Sequence, residues 1–272
     1  MVVVFGVPYD ENSSFMQGPA SAPARIREVL HSGSMNLCSE NEIDLGEDPH
    51  FHDLGDLDLP IENAAFESIE KAITTLLERN VYVLSLGGDH AITYPILKAY
   101  AKKYDKLSIL HLDAHPDLYD AFEANRYSHA CPFARIMEEN LANRLVQIGI
   151  RTMNPHQHTQ AERFGVEVID MRKWRPDITL DLTGPVYLSL DMDVLDPAYA
   201  PGVSHHEPGG LSTRDVLRII QGIQPPVVGA DIVEFNPKRD TSGITAAAAA
   251  KFLKEIAARM LNTGPFAHNR NA

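Results

Sequence analysis

Short apolar, β-branched runs alternate along this chain with longer stretches of helical periodicity. The runs fall at residues 2–7 (VVVFGV), 81–88 (VYVLSLGG), 107–115 (LSILHLDAH), 145–151 (LVQIGIR), 166–170 (VEVID), 186–194 (VYLSLDMDV) and 227–235 (VVGADIVEF). Amphipathic segments occupy residues 22–31, 64–79, 93–104, 133–144, 213–221 and 244–261. Strand alternating with helix predicts βαβ crossovers and an α/β fold with a mostly parallel sheet. Inner strands of such a sheet are buried on both faces and read as near-continuous apolar runs, as YVLSL and SILHL do. Polar residues at their carboxyl ends are the exceptions, and those ends are where open parallel sheets form ligand crevices. Residues 33–63 are turn-rich and acidic and read as a long surface excursion, and the tail PFAHNRNA as a frayed end. With no internal repeat, residues 1–272 are expected to form one domain.

Composition changes the picture little, whereas charge narrows it. An apolar content of 44% with 22% charged residues is that of an ordinary soluble globular protein. The formal net charge of −13 argues against nucleic-acid and anionic-membrane partners, which reward basic patches, and is compatible with a small cationic substrate. Two cysteines, Cys38 and Cys131, give neither a disulfide framework nor a CxxC zinc pattern, which fits a reducing compartment. The opening MVVVFGVPYD lacks a basic leader and is too short to span a bilayer, so it reads as a first strand, and a cytoplasmic location is expected.

The candidate chemistry lies at four strand ends: GGDH (87–90), DAHPD (113–117), DMD (191–193) and DIVEFNP (231–237). In extended chain, residues two apart point the same way, so Asp113, His115 and Asp117 can converge, as can Asp191 and Asp193. With His90 this makes four carboxylates and two imidazoles at one sheet edge. Each motif alone has an ordinary reading as a strand-end turn; their joint occurrence does not. Carboxylates packed so densely repel, and none of the chain's Lys or Arg residues falls inside these motifs, so bound divalent cations are the simplest counter-charge. Oxygen ligands with two imidazoles and no thiolate suit Mn²⁺, with Ni²⁺, Co²⁺ and Zn²⁺ left open. Six ligands exceed what one ion with an open position uses, so two ions, bridged by carboxylates and a hydroxide, are expected. Metal-assisted hydrolysis follows.

The segments LGGDHAITYP, ILHLDAHPDLYD, YSHACPFARI, SLDMDVLDPAYAPGVSHHEPGGLS and VVGADIVEFNPKRD resemble the ureohydrolases, the arginase and agmatinase group that cleaves guanidino compounds to urea. With NSSFMQGPASAPARIRE near the start, the likeness is closest to plant-type arginases and their bacterial relatives. The resemblance implies a three-layer α/β/α fold around the parallel sheet, two Mn²⁺ ions per subunit, and a homo-oligomer, trimeric or hexameric. It implies that His90, Asp113, Asp117 and Asp191 hold one ion, and Asp113, His115, Asp191 and Asp193 the other, with Asp113 and Asp191 bridging. By the same carry-over His129 shuttles protons to the leaving amine, Glu234 holds the guanidinium, and His205 lies beside the substrate.

Substrate choice is less legible. Where animal arginases place carboxylates for the α-amino group, this chain has Thr152 and Asn154, and Tyr119, Asn125 and Ser128 are further candidates for the far end of the substrate. Asn12, Ser13 and Ser14 read as a turn near the pocket mouth. L-arginine stands slightly ahead of agmatine, with guanidinobutyrate and guanidine behind. The architecture also supports single-zinc deacylases, which need one metal rather than six ligands.

Overall fold

The computed structural model describes residues 1–60 and 64–263; the frayed tail expected at 265–272 lies outside the described residues. Eight strands of the described residues form one sheet: β1 (Val2–Val7), β2 (Phe51–Asp56), β3 (Tyr82–Gly87), β4 (Ser108–Leu112), β5 (Arg144–Ile148), β6 (Glu167–Ile169), β7 (Val186–Asp191) and β8 (Val227–Val233). Their order is β2-β1-β3-β8-β7-β4-β5-β6, and every pairing is parallel. Among the described residues seven α-helices flank the sheet: α1 (Ala22–Leu30), α2 (Ala65–Glu78), α3 (Thr93–Ala101), α4 (Pro132–Glu138), α5 (Pro155–Phe164), α6 (Thr213–Gly222) and α7 (Ile244–Thr263).

Strand alternation divides the core in two. Val2, Val4, Leu84, Leu86, Leu110 and Leu112 pack with Ile26 of α1, Ile220 of α6 and Phe252 of α7. Val3, Val83, Ile109 and Tyr187 pack on the other face with Ile73 of α2, Ile96 of α3, Phe133 of α4 and Ala161 of α5. Inner strands feed both layers, which is why they read as unbroken apolar runs. This is the three-layer α/β/α architecture.

The sheet order matters more than the layers. The chain leaves β3 and enters β4 three places away, and the two places between are filled later by β8 and β7. Such a reversal opens a crevice at the carboxyl ends of the strands. The four strands around it are those that carry the chemical motifs.

The structure corrects the expected elements at several points. The excursion at 33–63 is not wholly surface: residues 51–56 form the edge strand β2 on β1, and Ile43 and Leu45 enter the core. FHDLGD has no apolar alternation, and the strand is held by backbone pairing and by Arg27, which bridges to Asp53 and Asp56. Helix α5 was not expected. Its buried face is Gln157, Gln160 and Ala161, too polar to register as periodicity, and its ends are set by an Asn154–Gln157 capping box and by Gly165 in the left-handed region. Helix α4 stops at Glu138 rather than 144, after which Asn140 takes a positive φ of 54°.

Gly88 sits where the β3 turn crosses the β1 turn, with its N–H donated to the Val7 carbonyl and that of Asp89 to Tyr9. A Cβ on Gly88 would overlap the Tyr9 carbonyl, and backbone cannot swing aside as a side-chain tip can. Gly88→Ala should therefore destabilise the protein by about 1–3 kcal/mol, read as a lower urea midpoint at unchanged m-value.

Candidate metal centre and active site

Four turns meet over the crevice. Beyond β3, Asp89 caps a single helical turn that begins at His90. Beyond β4, the chain runs through Asp113, His115 and Asp117 as a loop rather than as continued strand, and Asp117 takes a left-handed φ of 50°. The convergence expected from strand alternation is thus achieved by a turn. Beyond β7, Asp191 caps a turn by accepting from the Asp193 N–H at 2.7 Å. Beyond β8, Glu234 adopts φ 63°, with its N–H on the Gly88 carbonyl. Left-handed φ is uncommon for residues with a Cβ, and two such residues here show that the fold holds these side chains at some backbone cost.

His90 Nδ1 lies 3.2 Å from Asp113 Oδ2, 3.0 Å from Asp117 Oδ2 and 3.2 Å from Asp191 Oδ2. His115 Nδ1 lies 3.0 Å from Asp193 Oδ2 and 3.5 Å from Asp113 Oδ1. Asp113, fully buried, therefore turns one oxygen to each group. Asp193 is tied to the β4 turn by accepting from the Ala114 N–H at 3.1 Å.

The donor chemistry fits a cation. Asp231 Oδ2 receives the hydroxyls of Thr93 and Tyr187, and its Oδ1 receives that of Ser189 at 2.7 Å. With its proton on Asp231, Ser189 Oγ is left to accept from His90 Nε2, 2.9 Å away. His90 Nδ1 is then the nitrogen able to coordinate a cation, buried and without a hydrogen-bond partner among the described residues, facing three carboxylate oxygens. Acceptors facing acceptors require positive charge between them. In the metal-free state protons supply it: burial disfavours charge on His90 and His115, but the carboxylates outweigh it and push both well above the usual imidazole range. Metal uptake therefore releases protons.

His129 and Glu234 form a second unit beside the donors. Glu234 Oε1 accepts from His129 Nδ1 at 2.8 Å and from the His90 N–H at 2.9 Å, and His129 Nε2 lies 2.7 Å from Ser14 Oγ. Burial works against a charged His129, but the Glu234 carboxylate prevails and raises it to about 9. His205, whose ring centroid is 5.4 Å from that of His129, is pushed down by burial and by the neighbouring imidazole.

These groups share a cavity of about 160 Å³ whose lining includes His115, Asp117, Asp191, Asp193, His129, Glu234 and His205. Tyr119 and Thr152 are in its wall, as are Ser14, Phe122 and Gln157. Asn125, Ser128 and Asn154 are not. Asn125 Nδ2 donates to Asn12 Oδ1, Ser128 is buried in its own turn with Oγ accepting from the Ala130 N–H, and Asn154 caps α5 while donating to Tyr119 Oη at 2.6 Å. Their side chains shape the loops behind the wall.

Several participants escaped sequence reasoning. His111 donates from Nε2 to Asp113 Oδ2 at 2.7 Å and, with His90, Asp113 and Asp117, belongs to a group able to hold a metal ion. Mid-strand, it carried no positional signal. Asp89 accepts from the Asn12 and Ala91 N–H groups and from Ser13 Oγ, fixing the mouth loop; burial and the Glu234 charge raise it to about 7. Arg151 donates to the carbonyls of Asp193, Val194 and Leu195, holding the β7 turn. Cys131 is buried, which pushes its thiol up to about 12, so it is no nucleophile at neutral pH.

A parallel α/β sheet with this acid and imidazole cluster at its reversal point defines a metal-site hydrolase class. A sequence model of the Arginase family matches residues 1–258. Arginase 1, mitochondrial, of Arabidopsis thaliana is 47% identical over 94% of this chain and 80% of its own length, and an agmatinase of Bacillus cereus is 37% identical over 94% and 90%. Among solved structures, arginase from Medicago truncatula superposes with a TM-score of 0.90 at 42% identity, covering 95% of this chain and 87% of that one. Proclavaminate amidino hydrolase from Streptomyces clavuligerus gives 0.88 at 32%, covering 97% and 92%. The chain belongs to the Arginase family and is a hydrolase of C–N bonds.

In metal-free protein, titration of His129 by NMR should centre near pH 9 and fall toward 6.5 in Glu234→Gln. Because the folded value is the raised one, the ion pair's contribution to stability is complete below pH 6.5 and is lost as the pH rises through about 9. The melting-temperature gap between the parent and Glu234→Gln should narrow across that window.

Proposed function

We propose that the protein is a one-domain, dinuclear-metal amidinohydrolase that cleaves L-arginine to urea and ornithine, with agmatine as the second-ranked substrate. The observation that carries this reading is the pair of donor groups sharing Asp113, with the His129–Glu234 unit in the same cavity. The ranking of arginine rests on the plant arginase at 47% identity against the agmatinase at 37%.

In this reading His90, Asp113, Asp117 and Asp191 hold one ion and Asp113, His115, Asp191 and Asp193 the other. Mn²⁺ is the ion we assign, ahead of Ni²⁺ and Co²⁺, because the donors are mostly carboxylate with two imidazoles. When bound, such a pair supplies a hydroxide nucleophile at neutral pH and neutralises the clustered acids. Glu234, a buried anion, receives the guanidinium through charge-assisted hydrogen bonds and so orients the carbon to be attacked. The Glu234 carboxylate favours the protonated form of His129, and the Nδ1 proton, resting on Glu234, is close to any guanidinium held there and can pass to the departing amine. Phe122, Ala130 and Tyr119 contribute to the cavity lining.

No helix among the described residues is long and apolar enough to cross a membrane. We assign the protein to the cytoplasm on its free cysteines and acidic composition, although its plant relatives are named mitochondrial, and we assign it a trimeric or hexameric state on its family likeness.

Mn²⁺-loaded protein should release urea from L-arginine and, more slowly, from agmatine, with guanidinobutyrate and guanidine as controls; no urea from any of the four would overturn the reading. Asp113→Asn should lose metal, measured by elemental analysis, together with activity, and full metallation with full activity would sink the shared-ligand assignment. Glu234→Gln should keep both ions yet lose about 10²- to 10³-fold in kcat.

A further inference from the structure

The carboxylates and imidazoles of the cavity lining are Asp117, Asp191, Asp193, Glu234, His115, His129 and His205, and all but His205 belong to the donor groups or to the His129–Glu234 pair. The remaining wall, formed by Ser14, Tyr119, Phe122, Ala130, Thr152 and Gln157, carries no ionised side chain. The Arg151 guanidinium is turned onto main-chain carbonyls and does not line the cavity. A substrate anchored by its guanidinium therefore meets only neutral groups at its other end.

Two of those groups have their hydrogen-bonding direction determined by their partners. Gln157 occupies the third position of α5, and its Oε1 accepts from the Asn154 N–H at 3.2 Å, completing the capping box. Only the oxygen of the amide can accept, so the NH₂ end faces away from the cap. Gln157 is 5% exposed and lines the cavity, and its Nε2 has no hydrogen-bond partner among the described residues. Tyr119 Oη accepts from Asn154 Nδ2 at 2.6 Å, which leaves the phenolic proton to be donated elsewhere. An amide NH₂ and a phenolic O–H on one neutral wall are donors waiting for an acceptor. They serve a carboxylate better than an ammonium.

We infer that Gln157, assisted by Tyr119, is the specificity residue for a carboxylate at the far end of the guanidino substrate, and that no carboxylate among the described lining residues reads an α-amino group there. This inference rests on the amidinohydrolase reading above. Its consequence is a substrate class, the guanidino acids: arginine and its analogue without the α-amino group, desaminoarginine, are substrates of similar quality, whereas agmatine, which lacks the carboxylate, is a poorer one. Hydrogen bonds to a charged group are each strong enough for discrimination of about 10- to 100-fold.

The experiment compares kcat/KM for arginine, desaminoarginine and agmatine in Mn²⁺-loaded parent protein, Gln157→Glu and Gln157→Leu. Glutamate keeps the oxygen that caps Asn154 and removes the donor, so the helix stays capped while the wall becomes anionic. The parent should cut arginine and desaminoarginine within about threefold of each other and agmatine about 10- to 100-fold less well. Gln157→Glu should lose most of its efficiency on both acids through KM, with kcat retained, and gain on agmatine; Gln157→Leu should erase the preference. An equal fall for all three substrates accompanied by a lower melting temperature would make Gln157 a mere helix cap and overturn the inference. Unchanged ratios in Gln157→Glu, a parent preference for agmatine, or failure to cut desaminoarginine would overturn it as well, while leaving amidinohydrolase activity standing. No urea from any of the three in the metal-loaded parent would instead remove the functional reading on which it rests.

Discussion

Three carboxylate oxygens and the Nδ1 of an imidazole point at one another behind the ends of β3, β4 and β7, with no lysine or arginine of the described residues paired to them. Such an arrangement is repulsive on its own, because each acid has lost its hydration and gained like-charged neighbours. It persists because its members are tied from outside. Asp231 collects three hydroxyl donors and through Ser189 orients His90; the Ala114 N–H binds Asp193 of the neighbouring turn and the Asp193 N–H binds Asp191 of its own; Arg151 holds the β7 turn by its carbonyls. The positive charge the centre lacks is supplied by protons or by metal, and the competition between them couples the state of the site to pH.

The same need explains the surrounding rigidity. His90, Asp113, His115, Asp191, Asp193 and Glu234 lie within three residues of their strand ends, Asp117 and Glu234 are held in left-handed backbone, and the strands beneath are buried on both faces, whereas His129 and His205 lie further along loops. A side chain displaced by one ångström at such a site loses its geometry, so precision is drawn from the sheet. Toward the cavity mouth the demand relaxes, the lining becomes neutral, and selection passes from charge to hydrogen-bond direction.

Much of this was legible in the chain. The inner strands announced themselves by apolar runs, and polar residues at their ends marked where chemistry would lie. What escaped notice has physical causes. The edge strand β2 is held by its pairing with β1 and by Arg27, neither of which leaves a periodic trace. Helix α5 buries glutamines, so its amphipathicity is hidden in a polar alphabet. His111 lies mid-strand and Arg151 acts on main-chain carbonyls, interactions that residue type alone does not disclose. The turn at 113–117 was read as strand because both geometries bring alternate side chains together.

The sequence by itself determined the α/β class, the parallel sheet, and the set of acids and imidazoles at strand ends, because burial and side-chain chemistry are local properties of the chain. Which strand ends meet was decided only by the tertiary structure. The order β3-β8-β7-β4 inserts the last two of these strands between the first two, so motifs 144 residues apart, His90 and Glu234, share a hydrogen bond. Likewise the direction of the Gln157 amide depends on a capping partner, and its place in the cavity wall on how α5 docks. Register, strand order and donor direction are collective outcomes of packing, and no single residue carries them.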